Sequence, residues 1–358
     1  MRQVRIGLRL LLALLSTGVA FVCAEVVART FDPMGVAYFR EVPRYFAGAI
    51  TPAPPGPDGL PPADGRLFQQ LPGVVIECHD FDFITNQAGV RDSDPDATVP
   101  ARVGQPTPGE GAWSKERWLM LGDSVTLAWG VDDDESWPRL VEREARATDG
   151  RPLEVLNAGH LMYETVQQAD LLRVLGPQLR PEVVALTFIS NDFQPTYDEL
   201  LQQIELQTEA VAARKRSSAP ERLWFRISSR FEALSGLLRF AREQRQDPLD
   251  PNGDQSPMRF YPKNWPRCRD ALDAIVAGCE LLGARFVLID HTMPAIPELP
   301  AWAEEHGVPY VRVGFEPHEY ERGIVNSRAD AHANALGNQI IATKVRGGLE
   351  ELGWVQAP

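Results

Sequence analysis

Five residues of the 358-residue chain could together supply the groups that nucleophilic acyl transfer requires. Ser124 is a candidate nucleophile, His332 a candidate base, and Asp330 a carboxylate that could orient the base. Gly159 could donate its backbone N–H to a developing oxyanion, and Asn191 could donate its side-chain amide. With the N–H of Ser124, they would form an oxyanion hole. These residue types predict a Ser-His-Asp site that attacks an ester.

Three of the candidates directly follow stretches that are predicted to be β-strands. Gly122-Asp123-Ser124 follows an apolar run over 118–121, Asn157-Ala158-Gly159 follows 153–156, and Ser190-Asn191-Asp192 follows 183–189. The carboxyl ends of parallel strands form one edge of a sheet, and active sites of open α/β sheets lie there. We therefore expect the three turns to meet, with Asp330-Ala331-His332 reaching them from the loop before the last helix.

The whole region from Trp118 to Leu352 alternates between strand-like and helix-like patterns. The run over 183–189 is apolar without polar alternation, which is typical of a parallel strand covered on both faces. Strands are predicted at 118–121, 153–156, 183–189, 285–289 and 310–313, and helices at 136–148, 165–175, 266–282, 299–305 and 334–352. This order predicts an α/β fold with a parallel sheet, right-handed crossovers and helices on both faces.

The four turns, in this order along the chain, resemble the sequence blocks of the GDSL or SGNH hydrolases. Gly122-Asp123-Ser124 resembles the nucleophile block, Asn157-Ala158-Gly159 the glycine block, Ser190-Asn191-Asp192 the asparagine block, and Asp330-Ala331-His332 the terminal block. The resemblance implies a flavodoxin-like three-layer sandwich, catalysis without a metal or cofactor, and activity on esters, commonly acetyl esters of carbohydrates.

A narrower resemblance connects the chain to membrane-anchored bacterial members of that family. It depends on the segment Thr85-Asn86-Gln87-Ala88-Gly89-Val90-Arg91-Asp92, which precedes the nucleophile strand. The terminal block departs from the commonest pattern, because one residue rather than two separates Asp330 from His332 and because Ala333 replaces a frequent proline. The sequence therefore supports His332 as the base more strongly than it supports Asp330 as the carboxylate that orients the base.

Other polar residues of these turns have simpler interpretations. Asp123 and Asp192 are expected to bond nearby backbone groups. His160 and His291 are rivals to His332 as the base, and we rank them lower: His160 would crowd the oxyanion, and His291 has no evident partner except Asp290.

The first thirty residues form an export signal or a membrane anchor. Arg2, Arg5 and Arg9 precede a nearly charge-free run that continues to Val27. Cleavage after Ala24 would secrete the protein, whereas an uncleaved segment from Ile6 to Val27 would anchor it in the inner membrane. The anchor is favoured, and in both cases the basic flank stays in the cytoplasm and the remainder lies outside, in the periplasm or beyond.

The remaining chain is predicted to contain a linker and one large domain. Residues 31–111 are rich in proline and glycine, which predicts a linker, and a small β-hairpin is predicted within it at 73–91. Residues 112–358 form the predicted hydrolase domain, with a helical insertion at about 195–265 that is either a lid over the site or a peripheral helical pair.

Composition excludes some function classes. The net charge of −13 argues against nucleic-acid binding. The four cysteines and six histidines show no metal-binding spacing. A disulfide from Cys78 to Cys268 or Cys279 would be possible outside the cytoplasm, although free thiols are favoured.

Three function hypotheses follow from these patterns. The first is a serine esterase that acts on an ester, chiefly an O-acetyl group, of an envelope carbohydrate or lipid. The second is an O-acyltransferase on an envelope polysaccharide, since transfer uses the same groups as hydrolysis. The third is a non-catalytic envelope protein, either a catalytically silent binding protein or an anchored scaffold for a partner enzyme.

Overall fold

The computed structural model describes residues 2–32, 35, 37–52, 68–100, 102, 113–193 and 260–358. The predicted insertion at about 195–265 therefore lies almost wholly outside the described residues. By its internal contacts the chain divides into two units. The larger one comprises Arg44–Leu201, Gly253–Asn326 and His332–Pro358, and the smaller one comprises Met1–Pro43, Gln202–Asn252 and Ser327–Ala331.

The described strands are β1 (Ile50–Pro52), β2 (Phe68–Gln70), β3 (Val75–Glu77), β4 (Asp82–Ile84), β5 (Glu116–Gly122), β6 (Arg146–Ala147), β7 (Leu153–Gly159), β8 (Val183–Phe188), β9 (Arg285–Asp290), β10 (Tyr310–Arg312) and β11 (Val355–Gln356). The described α-helices are α1 (Arg2–Phe31), α2 (Tyr38–Gly48), α3 (Ser124–Leu127), α4 (Trp137–Glu144), α5 (Thr165–Leu179), α6 (Trp265–Leu282), α7 (Glu298–Glu305), α8 (Pro317–Tyr320) and α9 (Ala335–Glu351).

A five-stranded parallel sheet forms the centre of the larger unit. Its strand order is β10-β9-β8-β5-β7. The chain enters at β5, moves outwards to β7 and then crosses back to β8 on the other side of β5, which is the flavodoxin-like order. The direction of winding reverses between β5 and β8, so the crevice that such sheets use for ligands lies at the carboxyl ends of these two strands.

Alternate residues of β5 supply the two faces of the sheet. Leu119 and Leu121 belong to one apolar cluster, and Trp118 and Met120 belong to the other. Helices α5, α6 and α7 cover the first face, and α4 and α9 cover the second. All six residues of β8 are buried, as its continuous apolar run requires. The predicted three-layer α/β architecture is confirmed.

The predicted helix over 136–148 is shorter in the structure. Helix α4 ends at Glu144, and the next residues form β6, where Ala147 pairs with Val355 of β11. Pairing with the distant chain end thus replaces the last helical turn. Ser136 precedes the helix, but its hydroxyl donates to the carbonyl of Asp133 at 2.6 Å and accepts no helix N–H.

Part of the segment predicted as a linker is ordered and belongs to the larger unit. Strands β1 and β2 pair antiparallel there, and β3 and β4 form a hairpin. Tyr45 of α2 is fully buried, with its ring centroid 5.1 Å from that of Phe83 and 5.8 Å from that of Trp129. Aromatic packing against the loop after α3 therefore orders residues whose composition indicates a linker.

Helix α1 contains the segment Arg9–Val27, which is long and apolar enough to cross a bilayer. Most of its large apolar side chains are exposed, including Leu14 and Val19. A membrane anchor and a signal sequence both have these properties. Cys23, Cys78, Cys268 and Cys279 are all free thiols in the structure.

Candidate active site

Ser124 lies at a tight turn between β5 and α3. Gly122, the last residue of β5, has φ +154°, and a Cβ there would lie 2.1 Å from Oγ1 of Thr126. Asp123 caps the helix, because its Oδ1 accepts the N–H of Val125 at 2.9 Å. Since α3 begins at Ser124, the N–H of Ser124 has no intrahelical acceptor. The turn thus brings the hydroxyl and N–H of Ser124 to the carboxyl end of β5.

The carboxylate of Asp123 joins this turn to the turn after β8. Its Oδ2 accepts Nδ2 of Asn191 at 2.7 Å and the hydroxyl of Ser124 at 3.3 Å. Burial raises the pKa of Asp123, and the bonds from Val125 and Asn191 oppose that rise. The structure therefore brings the predicted nucleophile and the predicted amide donor to one oxygen atom.

Asn191 is held in place by its neighbour Asp192. Oδ2 of Asp192 accepts the N–H of Ile189 at 2.7 Å, and Oδ1 accepts the hydroxyl of Thr165 at 2.9 Å. Burial, together with the nearby charge of Asp123, raises the pKa of Asp192 well above its ordinary value. These bonds tie the turn after β8 to the start of α5 and confirm the structural role predicted for Asp123 and Asp192.

Gly159 packs directly against α3. A Cβ at this position would lie 2.2 Å from the backbone N of Leu127. The N–H of Gly159 donates to Oδ1 of Asn157 at 3.0 Å, and Nδ2 of Asn157 donates to the carbonyl of Thr126 at 2.9 Å. Gly159 thus has a packing role in the structure. Its N–H, which the sequence predicts as an oxyanion donor, is already bonded to Asn157.

His332 lies in the loop before α9, and its carbonyl accepts the N–H of Asn326 at 2.9 Å. Nδ2 of Asn326 in turn donates to the carbonyl of Trp129 at 3.4 Å, in the loop after α3. A positive charge on His332 lowers the pKa of Asp123. The two hydrogen bonds of Asn326 bring the loop that carries His332 next to the loop after α3.

Asp330 belongs to the smaller unit, in the short segment Ser327–Ala331. The residue is buried, its N–H donates to Oγ of Ser327 at 3.0 Å, and its carbonyl accepts the N–H of Ser327 at 2.9 Å. A local turn thus fixes its backbone. The role of its carboxylate as the orienter of His332 stays a prediction.

The two rival histidines are buried and locally bonded. Burial lowers the pKa of both His160 and His291 to about 4. Nδ1 of His160 lies 3.0 Å from the carbonyl of Ala158, and its ring stacks on Tyr163 with centroids 4.4 Å apart. Nδ1 of His291 lies 3.4 Å from the carbonyl of Val313. A base with so low a pKa is a poor proton acceptor at neutral pH, which supports ranking both below His332.

Sequence reasoning missed three residues that shape this edge of the sheet. Asn157 connects β7 to α3 as described, and Arg91 donates to the backbone that follows α3. Met162 has φ +62° in the loop after β7, a conformation that costs a non-glycine residue about 1–2 kcal/mol. Two of them carried a sequence signal: Arg91 lies in the segment that resembles the membrane-anchored members, and Asn157 belongs to the block that resembles the glycine block.

Within the described ranges, no group of three or more His, Cys, Asp or Glu side chains is placed to hold a metal ion. What these residues offer is a hydroxyl, an imidazole and two N–H donors at one edge of the sheet. That set is suited to attack on a carbonyl carbon and to stabilisation of the resulting oxyanion.

No family model and no curated protein matches the chain. Solved structures that match include the psychrotrophic esterase EstA from Pseudoalteromonas, with 14% identity and a TM-score of 0.40, over 66% of this chain and 98% of that one. A GDSL-like lipase from Bacteroides thetaiotaomicron matches with 12% identity and a TM-score of 0.34, over 66% and 89% of the two chains. An acetylxylan esterase from Geobacillus stearothermophilus matches with 15% identity and a TM-score of 0.35, over 68% and 97%. All three TM-scores are below 0.5.

Proposed function

We propose that the protein is a serine esterase of the GDSL or SGNH type, with Ser124 as its nucleophile. The observation that carries the proposal is the contact of Ser124 and Asn191 with the same carboxylate oxygen of Asp123. Because Oγ and Nδ2 both touch that oxygen, they lie at most about 6 Å apart, so both groups can reach one ester carbonyl group.

In the first half of the proposed reaction, Oγ of Ser124 attacks the carbonyl carbon of the ester while His332 takes the hydroxyl proton. The carbonyl oxygen becomes negative and accepts bonds from the N–H of Ser124 and from Nδ2 of Asn191. His332 then gives the proton to the departing alcohol, and the acyl group remains on Ser124.

In the second half, His332 removes a proton from water, which attacks the acyl carbon. The bond from that carbon to Oγ of Ser124 then breaks, His332 returns the proton to Oγ, and the carboxylic acid leaves. Asp330 is proposed to orient His332 during both halves. Gly159 is assigned the packing role, because its N–H could reach an oxyanion only after leaving Asn157.

The proposed substrate is an ester, chiefly an O-acetyl ester, on an envelope carbohydrate or lipid. The family resemblance supports the ester class, and the apolar segment Arg9–Val27 supports export. We propose that α1 anchors the protein in the inner membrane and that the catalytic part acts on the outer side.

The proposal is tested by the turnover of an aryl acetate by the purified full-length protein. Ser124→Ala and His332→Ala should each abolish turnover, whereas His318→Ala, which removes an exposed histidine, should leave it unchanged. Mass spectrometry after fluorophosphonate treatment should locate the adduct on Ser124. Equal turnover by the wild type and both site variants would refute the nucleophile and base assignments.

The acceptor of the acyl group is tested separately. An esterase releases free acetate from the aryl acetate, and added oligosaccharide does not become acetylated. If the acetyl group is instead transferred to the oligosaccharide, and the Ser124-dependent release of free acetate is lost, the protein is an acyltransferase. A folded protein that neither turns over the ester nor labels at Ser124 would be a binding protein or a scaffold.

A further inference from the structure

A buried arginine holds the backbone that follows the nucleophile helix. Arg91 is 1% exposed, and its Nη1 donates to the carbonyls of Leu127 and Ala128, the latter at 2.6 Å. Its Nη2 donates to the carbonyl of Val131. One guanidinium group therefore binds the chain at three points just after Ser124.

These carbonyls are at the end of a very short helix. Helix α3 has four residues, and Ala128 ends it with φ +56°. The last carbonyls of a helix have no intrahelical donors and carry the negative end of its dipole. An isolated helix of this length is unstable in water, so the position of α3 depends on tertiary contacts. The charge and several donors of Arg91 supply such contacts.

The backbone of Arg91 connects the same contacts to the sheet. Its N–H donates to the carbonyl of Asn157 in β7 at 2.9 Å. Asp133, with an oxygen 4.0 Å from Nε, offsets part of the cost of burying the guanidinium. Arg91 is thus fixed at β7 while its side chain fixes the end of α3, and neither contact uses the hydroxyl or N–H of Ser124.

We propose that Arg91 is a positioning residue for the acyl transfer, fixing the 124–131 backbone so that Ser124 faces the base and the oxyanion site. The inference rests on the proposed function, and it extends the machinery of the site to a segment far upstream of the nucleophile strand. Lysine would not replace Arg91, because a single ammonium group cannot reproduce the spread of Nη1 and Nη2 over these carbonyls.

The test compares Arg91→Ala and Arg91→Lys with Arg117→Ala in the full-length protein. Arg117 is a matched control: it is equally buried and also donates to backbone carbonyls, those of Leu179 and Pro100, but it lies at the amino end of β5. With an aryl acetate, both Arg91 variants should lose about 100-fold in kcat with little change in KM. Folded Arg117→Ala should keep its kcat.

Chemical rescue sharpens the comparison. Methylguanidinium, at concentrations that do not unfold the protein, should restore part of the kcat of Arg91→Ala and leave Arg117→Ala unaffected. If Arg91→Ala does not fold, Arg91→Lys gives the kcat measurement. Wild-type kcat in a folded Arg91 variant, or an equal loss in Arg117→Ala, would overturn the proposal.

A second readout separates this proposal from the proposed function. Hydrogen exchange should become faster in Arg91→Ala at the amides of Leu127, Ala128 and Trp129, which bond within the nucleophile turn. Arg117→Ala should leave these three amides protected. If the wild type shows no esterase turnover, the proposed function fails, and the exchange result alone decides whether Arg91 positions this turn.

Discussion

Replacing Gly159 with alanine adds one methyl group at the contact between β7 and the nucleophile helix. The added Cβ would lie 2.2 Å from the backbone N of Leu127 and 2.8 Å from its Cα. Both atoms belong to the backbone, so no side-chain rotation can relieve the overlap. We expect Gly159→Ala to displace α3 and to damage both stability and catalysis.

The size of the displacement follows from the overlap. Ordinary contact begins near 3.4 Å, so β7 and α3 must separate by about 1.2 Å. Overpacking of this kind costs about 1–3 kcal/mol of unfolding free energy. A misplacement of about 1 Å at a reacting group can cost about 100-fold in rate. The separation would also stretch the bond from Asn157 to the carbonyl of Thr126.

The assay pairs chemical denaturation with aryl acetate turnover, and Gly347→Ala is the matched control. Gly347 lies inside α9, and nothing lies within 4 Å of the Cβ it would gain. The same substitution there should stabilise the protein by about 0.5–1 kcal/mol, because alanine favours a helix over glycine. Its kcat should not change. The two variants should therefore change the unfolding free energy in opposite directions, although each replaces a glycine with an alanine.

A Gly159→Ala protein with wild-type stability and kcat would refute the packing argument. A stable variant with a reduced kcat would instead favour the oxyanion role of the Gly159 N–H. A destabilised variant with unchanged kcat would show that Ser124 does not depend on this contact.

Three further predictions follow. Burial lowers the pKa of His291 to about 4, below the value of about 6.5 in unfolded chains. The contribution of the neutral His291 side chain to the unfolding free energy is therefore intact above pH 6.5 and is lost as the pH falls towards 4. Between pH 7 and pH 4, wild type should lose about 3 kcal/mol more unfolding free energy than His291→Gln, measured by urea denaturation. Ala128→Gly should raise the unfolding free energy by about 1 kcal/mol, because Ala128 has φ +56°. Asn191→Asp replaces a donor with an acceptor beside Asp123 and should lower kcat for an aryl acetate by at least about 100-fold.

The fold could be predicted from the sequence because its signals are local. A buried parallel strand such as Val183–Phe188 shows as a continuous apolar run, and the turn that follows it shows as a change to polar residues. Once the strands are known to be parallel, their carboxyl ends must share an edge. That rule by itself predicts that Ser124 and Asn191 lie close together.

What the sequence could not predict depends on contacts between distant residues. Arg91 binds carbonyls 36 to 40 residues further along the chain, and no spacing rule encodes such a contact. Other unpredicted features are local: the N–H of Gly159 is engaged because the side chain of Asn157 turns towards the residue two places further along its own strand. The left-handed Met162 carries no signal in its residue type, since glycine would be expected there.

These contacts also bear on where the predicted hydrolase domain begins. The proline- and glycine-rich composition of 31–111 placed the boundary near residue 112, yet the larger unit begins at Arg44. Within that stretch, Arg91 binds the backbone after the nucleophile helix, and Nε2 of Gln70 donates to the carbonyl of Gly159 at 2.9 Å. A four-residue helix cannot hold a nucleophile by itself. The upstream segment is therefore part of what positions Ser124, although the sequence separates it from the nucleophile strand.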